Sequence, residues 1–307
     1  MSTASGPPAG GSGAPDPPNA DPAGSMPPGS RHSRILGGTG TGGRNVWVAV
    51  VSTLVFFGVG AFLIARSPGW SAPNGVREQF FDAEEFRSSF PDIVDKFGRN
   101  VFIFCVAELC VLFLALVIAV LRSLPGPVFT PLRVMAAAYT DLFRAVPTIL
   151  VIALLGYGMP ALELQGVPDS DLLWGIVALT LVYSAYVAEV YRAGIQSIHP
   201  SQVAAARSLG LSRGQTLRSV VIPQAVRRVM PPLLNDFIGL QKDSALLAFL
   251  GYREALLQAQ IIQANDFNFT PYTVLAVVYV VITIPQARFV DWLVARDQRR
   301  RQAGGDL

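Results

Sequence analysis

Long apolar stretches without charge alternate with shorter polar segments along most of the chain. Six of these stretches approach the length of about 20 residues that an α-helix needs to cross the hydrocarbon core of a bilayer. We therefore predict six transmembrane helices. Their approximate apolar cores are Val46–Ala65, Val101–Leu121, Ala145–Leu162, Leu172–Ala188, Val229–Leu250 and Thr270–Ala287. The predicted fold class is all-α, a polytopic membrane helix bundle, because a helix satisfies its own backbone hydrogen bonds in lipid.

The composition agrees with a membrane protein. Hydrophobic residues make up 51% of the chain and charged residues only 15%, and the mean hydropathy is +0.43, all beyond the averages of soluble domains. Residues 1–43 differ, because they are rich in Pro, Gly, Ser and Ala and bury too little apolar surface to offset the cost of ordering. We predict a disordered tail there. Residues 44–97 then hold the first transmembrane helix and an extracytoplasmic segment, and residues 297–307 form a basic tail.

The distribution of charge predicts the orientation of the helices. The segments after the second and fourth predicted helices and the C-terminal tail are basic. In contrast, residues 67–99 carry six acids against four bases, and residues 163–171 carry three acids and no base. Because basic loops stay in the cytoplasm, both termini and the long loop of residues 191–230 are predicted to be cytoplasmic.

The loop of residues 191–230 is the most informative polar segment. It contains six arginines and no acidic residue. Pro200 suits a first helical turn, and the run that follows it to Leu209 consists mainly of good helix formers. Gly210 stands where a helix of this length needs a left-handed cap.

A second short helix is predicted directly after this glycine. Ser212 followed by Gln215 is the capping-box pattern that opens a helix, and we expect this helix to stop near Pro223. The first of the two helices presents a face of little bulk, which a partner surface can approach closely. That face consists of Ala204, Ala205 and Ala206.

The order of motifs in this loop and around it resembles the polar amino-acid uptake family of binding-protein-dependent ABC importer permeases. The resemblance extends from about Gly98 to Arg296. The residues that carry it are Glu189, Arg192, Gln202, Gly210, Pro223, Lys242 and Asp243. This chain departs from the family pattern at three places. It has Ala204 where the family has a glutamate, and Ser201 where the family has a glycine. It has Arg144-Ala145-Val146-Pro147 where the family has Arg-Gly-Thr-Pro.

The resemblance implies a five-helix permease domain over residues 98–296, preceded here by one additional helix. It implies two permease subunits, the same or related chains, around a central path in the bacterial cell membrane. It also implies a cytoplasmic ABC ATPase bound to the loops and an extracytoplasmic amino-acid-binding protein that delivers the solute. The residues implied to couple to the ATPase are Ser201, Gln202, Ala204, Ala205, Ala206, Gly210 and Pro223. ATP would be bound by the partner, so the resemblance implies no catalytic or cofactor site in this chain. We also expect no metal site, because no spacing of metal ligands occurs in the sequence. We expect no nucleic-acid partner, because the arginines flank the apolar stretches and form no basic patch interleaved with aromatic residues.

The alanine at position 204 allows two explanations. Either the ATPase surface that faces it is adapted to alanine, or a second, non-identical permease subunit retains the glutamate and carries more of the docking. We favour the second explanation, because the family often works as paired permeases. An exposed charge contact contributes only about 0–1 kcal/mol, so its loss is tolerable.

Polar residues of the fifth predicted helix are candidates for the translocation path, because charged side chains in a bilayer face protein or water. These residues are Asp236, Lys242, Asp243 and Ser244. They either meet the polar groups of a transported amino acid or form a charge pair that joins neighbouring helices. The resemblance favours the path, since the Lys–Asp pair recurs in the family.

Four more residues are candidates for gating or structural roles. Glu189 and Arg192 stand three residues apart where the fourth helix leaves the membrane, a spacing that predicts an interfacial salt bridge. Arg144 lies near the cytoplasmic end of the third helix, and Pro147 is expected to kink that helix or to mark its first turn.

Three residues within the second predicted helix need a separate interpretation. Glu108 has no base near it in the sequence, so it is either protonated or paired with a charge from another helix. Cys105 and Cys110 indicate neither a disulfide nor a metal site, and we expect both to be buried apolar side chains.

The sequence has no Walker A motif, no dinucleotide fingerprint and no metal-ligand spacing, so energy for transport has to come from a partner ATPase or an ion gradient. An ion-coupled secondary transporter would use Glu108, Asp236, Lys242 and Asp243 as a proton or sodium relay. Such transporters commonly show repeated halves, which are not evident here. A non-transporting membrane scaffold is a further alternative. We therefore expect a permease subunit of an ATP-driven importer for a polar amino acid.

Overall fold

The computed structural model describes residues 43–303, in which helices are joined by short connections and no strand occurs. The α-helices are α1 (Gly43–Ala65), α2 (Pro68–Ser71), α3 (Val76–Phe80), α4 (Ala83–Ser123), α5 (Thr130–Ala145), α6 (Thr148–Gly156), α7 (Gly158–Ala161), α8 (Asp171–Gln196), α9 (Pro200–Ser208), α10 (Arg213–Thr216), α11 (Ile222–Asp243), α12 (Ala255–Asp266) and α13 (Thr270–Ala303). Two 3-10 helices, Pro127–Phe129 and Ser244–Leu250, and a π-helical segment, Leu217–Val221, complete the secondary structure. The predicted all-α class is confirmed. The predicted disordered tail, apart from residue 43, lies outside the described residues.

Helix α1 belongs to a unit of its own, which ends at Ile64. It contains the first predicted transmembrane helix, and its apolar part is Val50–Ala65. Large apolar side chains such as Trp47 and Phe56 are 70% and 74% exposed. A helix that is apolar around its whole circumference suits burial in lipid.

Three long helices of the second unit, which begins at Ala65, are apolar enough to cross a membrane. They are Val76–Ser123, which includes α4, Asp171–Gln196 and Thr270–Arg296. They contain the predicted second, fourth and sixth transmembrane helices. Asp82 caps α4, because its carboxylate accepts hydrogen bonds from the backbone N–H groups of Glu84 and Glu85 at 2.8 and 3.0 Å.

The third predicted transmembrane helix is broken. The segments Pro127–Ala145 and Thr148–Ala161 are bent by 102° relative to each other, so the expectation of one span over Ala145–Leu162 needs correction. The break follows from Pro147, which disfavours helical geometry in the residue before it. Val146 accordingly is extended, with ψ 132°, and Pro147 is the N-cap of α6.

The fifth predicted transmembrane helix corresponds to α11, which begins earlier than the sequence indicated and, unlike the three long helices, is not apolar enough to be identified as a span by composition. The second loop helix does not stop near Pro223. Instead, α10 continues through the π-helical segment into α11, and Pro223 lies in the first turn of α11. A proline is tolerated there because it lacks a backbone N–H, and a π-helical turn rearranges the hydrogen-bond ladder around it.

Helix α8 is the central helix of the second unit, since α4, α5, α6 and α11 all pack against it. The main core includes fully buried side chains from α4, α8 and α11 and from the 3-10 helix after α11. Examples are Ile103, Val111, Leu179, Val182, Leu240 and Leu247. A second cluster joins the start of α4 to α12 and α13 and includes Ile93, Ala255 and Val274.

The two cysteines lie on the outer face of α4. Cys105 and Cys110 are both exposed, so the expectation of buried side chains was wrong. The buried stripe of the helix passes instead through Ala107, Val111 and Ala115, which are spaced by one helical turn. The part of α4 predicted to cross the membrane, Val101–Leu121, is apolar on nearly every side, so the sequence alone did not show which face meets protein.

Candidate coupling surface and translocation path

The polar loop folds into the two predicted helices around a glycine. Helix α9 begins at Pro200, and His199 caps it by accepting a hydrogen bond from the backbone N–H of Ser201 at 3.2 Å. Gly210 has φ +86°, the left-handed conformation that only glycine adopts without strain. The backbone N–H of Leu211 donates to the carbonyl of Ala206 at 3.2 Å, which closes the end of α9.

The capping box at the start of α10 is also present. The backbone N–H of Ser212 donates to Gln215 Oε1 at 2.8 Å, and the backbone N–H of Gln215 donates to Ser212 Oγ at 3.3 Å. The predicted helix–glycine–helix form of the loop is therefore confirmed. Its compactness comes from local hydrogen bonds that the sequence specifies.

The residues predicted to couple to an ATPase differ in exposure. Ser201, Gln202, Ala204 and Ala205 are exposed, whereas Ala206 is only 6% exposed. The expectation that Ala204, Ala205 and Ala206 form one face accessible to a partner was therefore wrong for Ala206. Successive residues of an α-helix point about 100° apart, so three in a row do not share one face. The surface available to a partner is thus the side of α9 that carries Ala204 and Ala205.

The loop is fixed to the two long helices that flank it. Arg228 on α11 donates from Nη1 to the carbonyl of Ser197, just after α8. One turn earlier on α8, Gly194 leaves room for Val229 Cγ1, which a side chain at position 194 would clash with. Helices α8 and α11 therefore touch closely at the base of the loop, and Pro223 lies exposed in the first turn of α11.

A polar cluster joins the ends of α4 and α8 to α5. Arg192 donates from Nε to Glu189 Oε2 at 2.9 Å, which confirms the predicted pair. Arg122 on α4 also donates from Nη1 to Glu189 Oε2 at 2.9 Å and to Thr140 Oγ1 at 3.0 Å. Thr140 is fully buried. The sequence predicted a local brace, but the carboxylate of Glu189 in fact links two helices far apart in the chain.

Arg144 lies exposed at the bend between α5 and α6. Its guanidinium lies over the ring of Tyr186 on α8, 5.8 Å from the ring centroid. Tyr186 Oη in turn approaches the carbonyl of Arg144 at 3.4 Å. The bend marked by Pro147 therefore rests against α8 through a cation–π contact.

Two of the candidate path residues lie on one face of α11. Asp236 and Asp243 are seven residues apart, two helical turns. Tyr183 on α8 donates a hydrogen bond to Asp243 Oδ2 at 3.0 Å. Its hydroxyl also lies close to Gly239, which stands between the two acids in the chain, so that a Cβ at this glycine would be 3.1 Å from the hydroxyl. The tyrosine was not among the predicted site residues, because only packing brings it to this face.

The charges of this face are mostly unpaired. Asp243 and Lys242 form no ion pair among the described residues, and Lys242 is exposed. Asp236 Oδ2 is buried without a hydrogen-bond partner. Glu108 on α4 is half-buried and forms no ion pair among the described residues, so no base from another helix pairs with it there.

Ser244 is more deeply buried than the other candidate path residues. It is fully buried, accepts a hydrogen bond from Asn100 Nδ2 at 3.3 Å and donates to the carbonyl of Gln241 at 2.7 Å. Asn100 also donates to Glu254 at 2.7 Å, and Glu254 caps α12 through the backbone N–H groups of Leu256 and Leu257. This buried network holds the end of α11 against α4 and α12. Sequence reasoning did not identify it.

Residues 112–299, more than half of the chain, match the model of the family described as binding-protein-dependent transport system inner membrane component. The chain is 36% identical over 186 residues to the probable glutamine ABC transporter permease protein GlnM of Bacillus subtilis (strain 168), covering 60% of this chain and 82% of GlnM. It is 31% identical over 204 residues to the probable amino-acid permease protein YxeN of the same organism, covering 66% of this chain and 90% of YxeN.

Solved structures of transporters share the fold. The crystal structure of an amino acid ABC transporter with histidines aligns with a TM-score of 0.63 and 29% identity, covering 71% of this chain and 98% of that chain. An inward-facing structure of the MetNI methionine ABC transporter aligns with a TM-score of 0.54 and 19% identity, covering 66% and 95%. At that identity the second likeness concerns the fold alone.

Proposed function

Since this chain belongs to the family of binding-protein-dependent transport system inner membrane components, we propose that it is the permease subunit of an ATP-driven importer for a polar amino acid. Its helices form one side of the translocation path, and ATP is bound by a separate subunit. The observation that carries the proposal is the exposed helix–glycine–helix loop, fixed between α8 and α11. A rigid projection joined to two long helices suits the transmission of a movement from the ATPase into the membrane.

The coupling step follows from the contacts at the base of the loop. Because Arg228 holds Ser197 and Val229 packs on Gly194, a push on the exposed side of α9 displaces α8 and α11 together. Helix α8 is tied in turn to α4 and α5 through Glu189, Arg122 and Thr140. Nucleotide-driven closure of the ATPase thereby shifts the balance between two access states, provided that each state binds the solute differently.

A polar amino acid as the solute is supported by two observations. GlnM and YxeN, with which the chain shares 36% and 31% identity, are described as glutamine and amino-acid permeases. The polar residues of α11 carry both signs of charge, because Lys242 stands beside Asp243 in the chain, about 100° around the helix from the face of Asp236 and Asp243. Both signs are needed to meet the carboxylate and the ammonium group of a zwitterion.

The remaining partners follow from the family and from the charge pattern. An extracytoplasmic binding protein delivers the solute, and a second permease subunit, the same or a related chain, completes the path. The exposed apolar side chains of the long helices meet membrane lipid. Both termini and the arginine-rich loop lie on the cytoplasmic side of a bacterial cell membrane, as basic segments do.

Affinity purification in mild detergent tests the composition of the complex, with mass spectrometry of every co-purifying subunit. We expect an ABC ATPase and a binding protein. The complex, reconstituted in proteoliposomes with its binding protein, is expected to take up a radiolabelled polar amino acid only when ATP is available to the ATPase. A matched sample with an ATPase inactivated in its Walker B acid controls for leakage.

Two outcomes would contradict the proposal. Uptake driven by a proton or sodium gradient without ATP would establish an ion-coupled transporter, which would use Glu108, Asp236, Lys242 and Asp243 as a relay. A complex that binds partners but moves no solute under either energy source would establish a membrane scaffold.

A further inference from the structure

We propose that the coupling loop contains a receptor pocket, rimmed by Arg207 and Arg213, that binds an acidic side chain of the ATPase. This inference rests on the proposed function and adds to it the place and the chemistry of one contact. In this contact a side chain of the ATPase enters the permease loop.

The pocket lies between α9 and the segment formed by α10 and the π-helical turn. Its volume is about 290 Å3. The lining residues are Val203, Arg207, Arg213, Thr216, Leu217 and Val221. Their arrangement follows from Gly210, because its left-handed conformation turns the chain back so that the second segment faces α9.

The rim of the pocket has unused hydrogen-bond donors. Arg207 donates from Nη1 to the carbonyl of Leu211 at 2.6 Å, which holds its guanidinium in place. Arg213 forms no side-chain hydrogen bond or ion pair within residues 43–303, and both side chains are exposed. Two guanidinium groups at one opening match a carboxylate well, because each can donate two parallel hydrogen bonds to its oxygens.

The charge of the whole loop points to an acidic partner. No acidic residue occurs between Glu189 and Asp236, so the arginines of the loop have no local counter-charge. At position 204, where the resemblance leads us to expect a glutamate, the chain has an exposed alanine. Any charge complementarity across this surface therefore runs from permease arginines to acids on the partner.

The apolar part of the pocket lining favours a protein partner over a phosphate group. Its side chains are Val203, Leu217 and Val221, and Leu217 is 48% exposed. Nearby, Leu209 is 81% exposed at the end of α9. A lipid headgroup or free phosphate would leave these apolar side chains in water, whereas an acidic residue on a partly apolar protein surface would cover them.

Charge reversal in the full chain, co-expressed with its ATPase and binding protein, tests the pocket. The double variant Arg207→Glu/Arg213→Glu is expected to reduce the ATPase recovered per permease by at least about tenfold. Val203→Phe, which fills the pocket without a change of charge, is expected to reduce recovery as well. Membrane insertion and recovery of the binding protein should remain at the level of the unchanged protein.

The matched control is Arg218→Glu/Arg227→Glu. These two arginines are exposed on the same loop, outside the lining of the pocket, and the control changes the net charge by the same amount. It is expected to retain ATPase recovery within about twofold. Cross-linking from a cysteine placed at Leu217, with Cys105 and Cys110 replaced by serine, should then identify an acidic segment of the ATPase. Replacement of that acidic residue of the ATPase by arginine should restore its binding to the permease variant Arg207→Glu/Arg213→Glu.

Several results would overturn the proposal. An equal loss in the control would mean that overall loop charge acts instead of the pocket. Full ATPase recovery in both pocket variants would show that nothing enters it. If Arg207→Glu/Arg213→Glu recovers as much ATPase as the unchanged protein but no longer binds nanodiscs of phosphatidylglycerol, the two arginines bind lipid instead. If the unchanged protein recovers no ATPase at all, the proposed function itself fails, and this inference fails with it.

Discussion

Arg122 and Glu189 form an ion pair at 2.9 Å that joins the last turn of α4 to α8. Their side chains are 17% and 23% exposed, so the pair is shielded from solvent more than a surface ion pair. Glu189 also holds Arg192, and Arg122 also holds the buried Thr140. The carboxylate of Glu189 therefore joins α4 to α8, and Arg122 extends the connection to α5 beside the loop of residues 191–230.

Replacement of this carboxylate is the first prediction. Glu189→Gln leaves two partly buried guanidinium groups without a counter-charge, and we expect a loss of about 1–3 kcal/mol of stability. Thermal unfolding of the purified protein in detergent measures it. Asp291→Asn is the control, because its partner Arg288 is 3.9 Å away and both side chains are at least 72% exposed. A change there should stay below about 0.5 kcal/mol. Equal effects at both sites would contradict the assigned role of Glu189.

The second prediction concerns Gly210. A β-branched residue disfavours φ +86° by about 1–2 kcal/mol, so Gly210→Val should disturb the turn between α9 and α10. We expect ATP-dependent uptake to be lost while the protein still inserts into the membrane and the binding protein still binds solute. Gly214→Ala is the control, because Gly214 lies in α10 with open space around it and without a positive φ. Uptake at the unchanged level in Gly210→Val would remove the argument for a glycine hinge.

Close packing of α8 on α11 gives the third prediction. Gly194→Ala places a methyl group against Val229 Cγ1 and should cost about 1–3 kcal/mol through overpacking. The second change Val229→Ala should recover most of that loss, since it removes the clashing atom. Gly98→Ala, in open space on α4, should not destabilise. Thermal unfolding is measured for Gly194→Ala, Val229→Ala, the double variant and Gly98→Ala. If the stability losses of the two single variants simply add in the double variant, the two residues do not touch.

Orientation in the membrane is the fourth prediction. Single cysteines on a background without Cys105 and Cys110 should be labelled from outside at positions 80 and 168 and only from inside at position 215. The physical reason is the excess of arginine in the loop that carries Gln215. A membrane-impermeant maleimide measures access before and after the cells are opened. Labelling of position 215 from outside would reverse the proposed topology.

The fifth prediction concerns Ala204. If a second, non-identical permease retains the glutamate, Ala204→Glu should leave uptake close to normal. The change from glutamate to alanine in the partner's loop should then reduce ATPase association strongly. The purified complex should contain two distinct permease chains. A complex that contains only this permease would contradict the hypothesis and leave an adapted ATPase surface as the explanation.

Much of the coupling surface could be predicted because its structure is local. The capping box of α10 depends on two residues three positions apart, and Gly210 occupies a conformation that its missing side chain permits. Long apolar runs likewise predicted α4, α8 and α13. The same local reasoning failed at Pro223, because a proline is compatible with a helix end and with a helix start, and only the continuing chain distinguishes the two.

Relations between neighbouring residues sufficed to predict the long apolar helices and the way the polar loop closes on itself. They did not predict α12, nor that α4 begins at Ala83, within the segment expected to be extracytoplasmic. Tertiary structure alone decided the faces and the pairs. It exposed Cys105 and Cys110 and buried Ala206. It also brought together two pairs that are distant in the chain: Arg122 with Glu189, 67 residues apart, and Tyr183 with Asp243, 60 residues apart. In a helix that is apolar on every side, no periodic pattern marks the face that meets protein. Pairing across such helices therefore depends on how their side chains pack.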